Sequence, residues 1–194
     1  MRVSAVVLAA GRSSRMGANK LLLKLGDKTV MEHILDRLAG YRTVVVTGHR
    51  PKEITEIAAR YGVKTVHNPD YEKGMTTSFQ SGLKAIDSDA AFMVLGDTFG
   101  FSEALLKKME DELRGHPGAL LVSPVHKGRR GHPVLVRSPL FREFLDLGPG
   151  ETMRDVVNRH EDEHRYVEGD AWTVTDLDTP EDYEAAKKLW GTRG

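Results

Sequence analysis

The chain has 194 residues, with 28 Lys+Arg against 28 Asp+Glu, and 40% of it is hydrophobic. That length suits one domain with a core of its own. The zero net charge excludes a general nucleic-acid or membrane-surface binder, and the absence of Cys excludes disulfides, thiolate metal sites and a Cys nucleophile.

Short apolar runs flanked by turn residues alternate with stretches of helical period. Val3–Ala9 is the first run and predicts a strand. Val30, Ile34, Leu35 and Leu38 mark one face of a helix, and Thr43–Thr47 is the second strand. Pro51 opens a helix whose apolar face carries Ile54, Ile57 and Ala58. Val63–Val66 follows as a strand, then a helix through Phe79, Leu83 and Ile86, then a strand at Ala90–Leu95. Ser102 stands as an N-cap before Leu105, Leu106, Met109 and Leu113, and Ala119–Pro124 is the fifth strand. The last third is less regular. It reads as a loop over Lys127–His132, a strand at Pro133–Arg137, short helices at Pro139–Leu145 and Thr152–Arg159, and short strands at Arg165–Val167 and Trp172–Val174. A helix over Pro180–Trp190, capped by Thr179, ends the series. Continuous apolar strands alternating with helices imply a right-handed, mostly parallel α/β sheet. No spanning segment or signal peptide is expected, so the protein reads as cytoplasmic and free of membrane.

The neutral total hides blocks. Met1 to Gly26 holds five bases and no acid, Leu113 to Arg142 six bases and no acid, and Glu161 to Glu184 ten acids and one Arg. Since ligands of open α/β sheets bind at the carboxyl ends of strands, the segments that follow strands are the places to look.

After the first strand comes Leu8-Ala9-Ala10-Gly11-Arg12-Ser13-Ser14-Arg15-Met16-Gly17-Ala18-Asn19-Lys20. Glycines let backbone N–H groups converge on an anion, Arg offers a planar fork to phosphate, and Lys a point charge. The pattern suits polyphosphate, yet it has neither the Walker A nor the Gly-x-Gly-x-x-Gly spacing, and a plain basic surface loop is the competing reading. Asp97 ends the fourth strand; position alone leaves open a ligand-edge carboxylate or a loop and cap residue. Asp176 and Asp178 share a face if extended, and Asp178 alone could instead serve the start of the last helix. Asn68, Gly74, Thr77 and Ser78 sit around another helix start, where N–H groups favour an anion; N-capping by Thr76 or Thr77 is the alternative. Arg129, Arg130, Gly131, His132 and Pro133 form a basic stretch that is either an acceptor-side loop or a solvated hairpin tip. His33 and His160 read as structural or surface residues, and the i, i+4 pair His160 and His164 lies across an acidic, irregular run that argues against one helix and so against a metal site.

The first loop, as Leu-Ala-Ala-Gly-x-Ser-x-Arg-Met-Gly-x-x-Lys, resembles the signature of nucleotidyltransferases that join an NTP to a phosphorylated acceptor. Val46–Arg50, His67–Ser78 with Gly74-Met75-Thr76-Thr77-Ser78, Gly128-Arg129-Arg130-Gly131-His132-Pro133, Thr152–Arg154 and Asp176–Asp182 narrow the resemblance to the molybdenum cofactor cytidylyltransferase branch, in the MobA-like family. It covers nearly the whole chain.

The resemblance implies a three-layer α/β/α sandwich, Rossmann-like, of the nucleotide-diphospho-sugar transferase type. It also implies one domain, with NTP bound by residues 1–125 and acceptor by 126–194. The implied reaction moves CMP from CTP to the terminal phosphate of molybdopterin and releases pyrophosphate, with Mg2+ as cofactor. Leu8, Ala9, Ala10, Gly11, Arg12, Ser13, Lys20, Asn68, Gly74, Thr77 and Ser78 would bind the nucleotide. Arg15, Lys20 and Asp97 would be catalytic, Asp97 and Asp176 would hold metal, and Arg129 to Pro133 would meet the acceptor. A transient contact with a molybdoenzyme would follow. Relatives commonly place an apolar residue and Pro after the metal Asp, whereas Thr98-Phe99-Gly100 stands here. GTP or a sugar phosphate as substrate, or a chaperone that hands on the cofactor without chemistry, are the other expectations.

Overall fold

The computed structural model of the chain describes residues 1–12 and 19–191. Strand β1 (Val3–Ala9) lies at the centre of the main sheet and alternates between two cores. Ala5, Val7 and Ala9 face one, and Val6 and Leu8 the other. That is why the run is continuously apolar: both faces of the strand are covered. A small ribbon of β2 (Lys24–Leu25) and β3 (Lys28–Thr29) leads into helix α1 (Val30–Arg37). Thr29 caps α1 in a reciprocal box: its hydroxyl accepts from the Glu32 N–H, and Glu32 accepts from the Thr29 N–H at 2.8 Å.

Strands β4 (Arg42–Thr47) and β5 (Lys64–His67) extend the sheet in parallel on one side of β1, with helix α2 (Lys52–Arg60) between them. The chain then runs through α3 (Met75–Leu83) and crosses to the other side of β1 to form β6 (Ala90–Leu95), again parallel. Helix α4 (Glu103–Gly115) follows, and the Ser102 side chain accepts from the Leu105 N–H as expected. Strands β7 (Leu121–His126), β8 (Arg129–Arg130), β9 (Val134–Arg137) and β10 (His164–Glu168), with helices α5 (Phe141–Asp146), α6 (Met153–Arg159) and α7 (Pro180–Gly191), complete the fold. The sheet order is β10-β7-β9-β6-β1-β4-β5, with β8 paired to β7.

The layers match the expected sandwich. α1, α2, α4 and α7 cover the face of Val7 and Phe92; α3, α5 and α6 cover the face of Val6 and Met93. On the second face Phe79 and Phe144 meet edge to face with centroids 5.1 Å apart.

Three sequence expectations need correction. Lys127–His132 is not simply a loop. Lys127 (φ 49°) and Gly128 (φ 75°) make a tight turn, and Arg129–Arg130 pair back onto β7. Two successive residues at positive φ match the right-handed twist of a hairpin. That return makes β9 antiparallel to both of its neighbours. Trp172–Val174 is not a strand but part of a 3₁₀ turn at Ala171–Val174, begun by Asp170 accepting from the Trp172 N–H at 3.0 Å. Its apolar residues fill a corner rather than alternate across a sheet: Trp172 packs against Phe99 and Trp190 with centroids 5.4 and 5.6 Å away. That corner accounts for Thr98-Phe99-Gly100. Phe99 is buried and packs against Trp190 of the tail helix, with ring centroids 6.0 Å apart. Finally, the N-cap of α3 is Gly74, not Thr76 or Thr77.

Candidate active site

Because β4 and β5 lie on one side of β1 and β6 on the other, the strand order reverses at β1, and a crevice opens there at the carboxyl ends. It is a cavity of about 290 Å³ lined by the ends of β1 and β6, the start of α3, and Lys20, Leu21 and Tyr71. Leu8, Ala9, Ala10, Gly11, Lys20, Gly74, Ser78 and Asp97, all singled out in the sequence, line it together. They come from four separated stretches, and only the sheet topology assembles them.

Close backbone packing sets the cavity floor. The Gly96 N–H donates to the Leu8 carbonyl at 3.1 Å, tying the end of β6 to β1. A Cβ on Gly96 would lie 2.8 Å from that carbonyl oxygen and 2.9 Å from Leu21 Cδ2, so only Gly fits beside Asp97.

At one end stands a charged group. Lys20 Nζ donates to Asp97 Oδ2 at 2.7 Å and to Asp178 Oδ1 at 3.1 Å. The Lys20 and Asp97 side chains are about four-fifths buried, at 18% and 20% exposure. Burial works against the ammonium, but Asp97 and Asp178 outweigh it and hold the Lys20 pKa above its usual value. Leu177 is fully buried between Asp176 and Asp178, which therefore flank it on the site side, as the i, i+2 spacing implies. The Asp176 carboxyl is raised by burial and by the charges of Asp97 and Asp178, while Lys20 and Arg129 oppose the rise. Asp178 also serves the helix start, since its backbone N–H donates to Asp182, and Asp182 and Thr179 cap α7 reciprocally. Asp178 thus meets Lys20 through its carboxylate and the start of α7 through its backbone.

Other residues have different places. Asn68 is buried behind the cavity, where its amide donates to Thr77 Oγ1 at 2.9 Å and Ser78 Oγ at 3.0 Å. Thr77 in turn donates to the Asp70 and Gly74 carbonyls. Both shape the wall without lining it. Arg12 turns outward to Glu72 and the Tyr71 ring. Arg15 and Ser13 lie outside the described residues. In the hairpin, alternation separates the two arginines. Arg129 is felt by Asp176, whereas Arg130 pairs with Glu161 at 2.6 Å and lies over the Tyr166 ring. Gly131 and His132 line a second cavity beyond β6 together with Arg130. Pro133 is buried in support, after a cis peptide bond from His132. Burial lowers the His132 pKa, against the pull of Asp97.

Tyr71, Met75, Leu21, Leu95 and Gly96 line the first cavity and were missed as site residues. The signal available was their position after strands; an exposed Met at a helix start, 58% accessible, is the most unusual of them.

Among the described residues no group of three or more His, Cys, Asp or Glu is arranged to hold a metal. No helix among them is long and apolar enough to cross a membrane.

Comparison with known proteins gives consistent matches. A family model, the MobA-like NTP transferase domain, matches residues 5–166. The molybdenum cofactor cytidylyltransferase of Escherichia coli (strain K12) is 31% identical over 192 residues, 97% of each chain. A probable molybdenum cofactor guanylyltransferase of Natranaerobius thermophilus is 24% identical over 202 residues, again 97% of each. A nucleotidyl transferase structure from Methanothermobacter thermautotroptrophicus superposes with a TM-score of 0.85 at 27% identity, covering 100% of this chain and 99% of that one.

Proposed function

The chain belongs to the MobA-like NTP transferase family, and on that premise we propose that this nucleotidyltransferase moves CMP from CTP to the terminal phosphate of molybdopterin or its molybdenum form. The observation that carries the reading is the cavity at the β1 switch point with Lys20 and Asp97 paired at its edge. A phosphate oxygen of the acceptor attacks the α-phosphorus of the nucleotide and forms a new P–O bond. The bond from that phosphorus to the β-phosphate oxygen breaks, and pyrophosphate leaves with the electron pair. The attacking oxygen is already ionised, so no general base is needed, and His132 has no proton to take. The work left to the protein is alignment and neutralisation of charge.

In this reading Ala9, Ala10 and Gly11 bring backbone to the phosphates, and Tyr71 and Met75 supply flat and apolar wall. Lys20 keeps its charge at every working pH, because two carboxylates hold it. Arg15 and Ser13 join it by resemblance. The carboxylates also fit Mg2+. Burial first, and then the charges of Asp97 and Asp178, raise the Asp176 carboxyl; a cation would relieve the second of these, and two carboxylates with several waters is a set that magnesium accepts. Asp97 and Asp176 would hold it. Bound there, the ion would offset phosphate charge. The hairpin with Arg129 and Arg130 belongs to the acceptor half, residues 126–194.

CTP is preferred as donor because the 31% identical relative is a cytidylyltransferase, whereas the guanylyltransferase is 24% identical. Ala10, where guanylyl members more often have Gly, lines the cavity and agrees. The test is a donor screen: purified protein with Mg2+, molybdopterin and each NTP, pyrophosphate release being measured. Turnover with CTP is expected. Faster turnover with GTP would overturn the donor, and tight CTP binding with no pyrophosphate would favour a non-catalytic carrier.

A further inference from the structure

Lys20 begins a single 3₁₀ turn, Lys20–Leu22, whose backbone is anchored. The Asn19 side chain accepts from the Leu21 N–H at 3.1 Å, and Leu21 is buried beside Gly96. From that fixed base a four-carbon stem carries the ammonium to two carboxylates from distant parts of the chain. Asp97 lies just beyond β6, and Asp178 just before α7, where its N–H donates to Asp182 Oδ2 at 3.1 Å. Nζ stands 2.7 Å from Asp97 Oδ2 and 3.1 Å from Asp178 Oδ1. With most of the Lys20 and Asp97 side chains withdrawn from solvent, the pairing is screened less than a surface ion pair. Lys20 is therefore the counter-ion of both carboxylates.

That pairing has a consequence for any second cation. A divalent ion on Asp97 would share one small, shielded carboxylate with the ammonium, and like charges so placed repel. The ion gains the full carboxylate only if Lys20 leaves it. Lysine is suited to leaving, because its charge is a compact point on a flexible stem and pairs with any anion in reach. Lys20 lines the first cavity with Ala10 and Gly11, the backbone assigned above to the phosphates. A triphosphate in that cavity is the anion that can take the ammonium over.

We propose that Lys20 and a divalent cation compete for Asp97, so that the ion binds tightly only after nucleotide phosphate has drawn the ammonium away. The inference rests on the nucleotide and the metal proposed above and adds an order: nucleotide first, ion second. Charge accounts for both steps. One ammonium between Asp97 and Asp178 leaves a single net negative charge to attract an ion. Once the ammonium moves to phosphate, both carboxylates are released and the phosphate is partly neutralised. Nucleotide and ion then reinforce each other, and by linkage the reinforcement is reciprocal. Asp178 is the residue that holds Lys20 back, from the start of α7.

Two titrations without acceptor or turnover test the competition. Mn2+ stands in for magnesium, and its free paramagnetic resonance signal is followed as intact protein is added without nucleotide. CTP is titrated separately by calorimetry in excess EDTA. Lys20→Met removes the competing charge, and Lys20→Gln removes it while keeping an amide that can donate to Asp97 and preserve the fold. Both should bind Mn2+ about tenfold tighter than the natural sequence and metal-free CTP about tenfold weaker. A lysine with a purely structural task would lower both affinities or neither, so the opposite signs mark an exchanged partner. Lys20→Arg, which keeps the charge, and Arg129→Met, which removes a charge that acts on Asp176, should each stay within about threefold of the natural Mn2+ affinity. An Mn2+ affinity that is unchanged or weaker in either folded neutral variant overturns the inference, as does an unchanged metal-free CTP affinity. So does a gain as large in Lys20→Arg or Arg129→Met, or a gain that survives Asp97→Asn in the Lys20→Met background, because that ion would sit elsewhere. Turnover of CTP by the natural sequence with no Mn2+ gain in the variants refutes the competition alone, whereas failure of the donor screen overturns the reaction and leaves the competition standing.

Discussion

Gly96→Ala tests the central claim that backbone contact between β1 and β6 positions the site. The new methyl carbon would start 2.8 Å from the Leu8 carbonyl oxygen and 2.9 Å from Leu21 Cδ2. Leu21 can rotate; the carbonyl cannot, because it lies at the end of a central strand and accepts the Gly96 N–H itself. Restoring an ordinary contact requires the strand ends to part by about 0.5 Å, and such overpacking costs about 1–3 kcal/mol. For a chain of this size that is a fall of about 2–12 °C in Tm. The effect on rate should be larger. Asp97 is the next residue, and its carboxylate is set against Lys20 at 2.7 Å. Misplacement of about 1 Å in an aligned site costs about 100-fold, so kcat/KM for CTP should fall by roughly 10–100-fold at a temperature where the variant is folded. Pyrophosphate release under saturating CTP, with melting followed by circular dichroism, measures both. Gly115→Ala is the control, since a Cβ there meets nothing within 4 Å and should leave the rate intact. A Gly96→Ala protein with natural kcat/KM would refute the reasoning.

Further outcomes follow from other parts of the molecule. Lys20→Ala and Asp97→Ala should each lower turnover by about 100–1000-fold, the scale of losing one preorganised charged group, while circular dichroism stays native; near-normal pyrophosphate release by either would remove its assigned role. Acid should destabilise the protein through His164. Its folded pKa of about 4 is below the unfolded value near 6.5, so the unfolded chain binds the extra proton first and stability falls as pH drops from about 6.5 to 4. His164→Asn should show a shallower fall of Tm across that window, and an identical slope would contradict the assignment. Phe79→Ala, which removes a fully buried ring packed against Phe144, should cost about 3–5 kcal/mol in urea unfolding. A cost below 1 kcal/mol would show that the second core collapses around the gap.

Much of this molecule is legible in the residues alone. The strands at Val3–Ala9 and Ala90–Leu95 are read to the residue, because a run covered on both faces must be apolar throughout. Caps at Ser102 and Thr179 follow from side chains that satisfy the N–H groups next to them. The i, i+2 spacing of Asp176 and Asp178 likewise predicts a shared face. These are local properties, and local sequence carries them.

Other features are set by contacts across the chain. The reversal of order at β1 makes one cavity from segments around residues 8, 20, 75 and 97, and no local pattern specifies a crossing. Trp172 resembles a strand residue until Phe99 and Trp190 claim it for a corner. His164 stands in an acidic, irregular run of sequence, and only the pairing of β10 with β7 puts it against Ser123. The charge blocks show the same division. Their existence is plain in the sequence, and the zero sum excludes a general nucleic-acid or membrane-surface binder. Only the folded chain joins Lys20 of the first basic block and Arg130 of the second to Asp178 and Glu161 of the acidic one. Coulomb attraction acts through space over a few ångströms, so which charges neutralise each other depends on the path of the chain and not on their order along it.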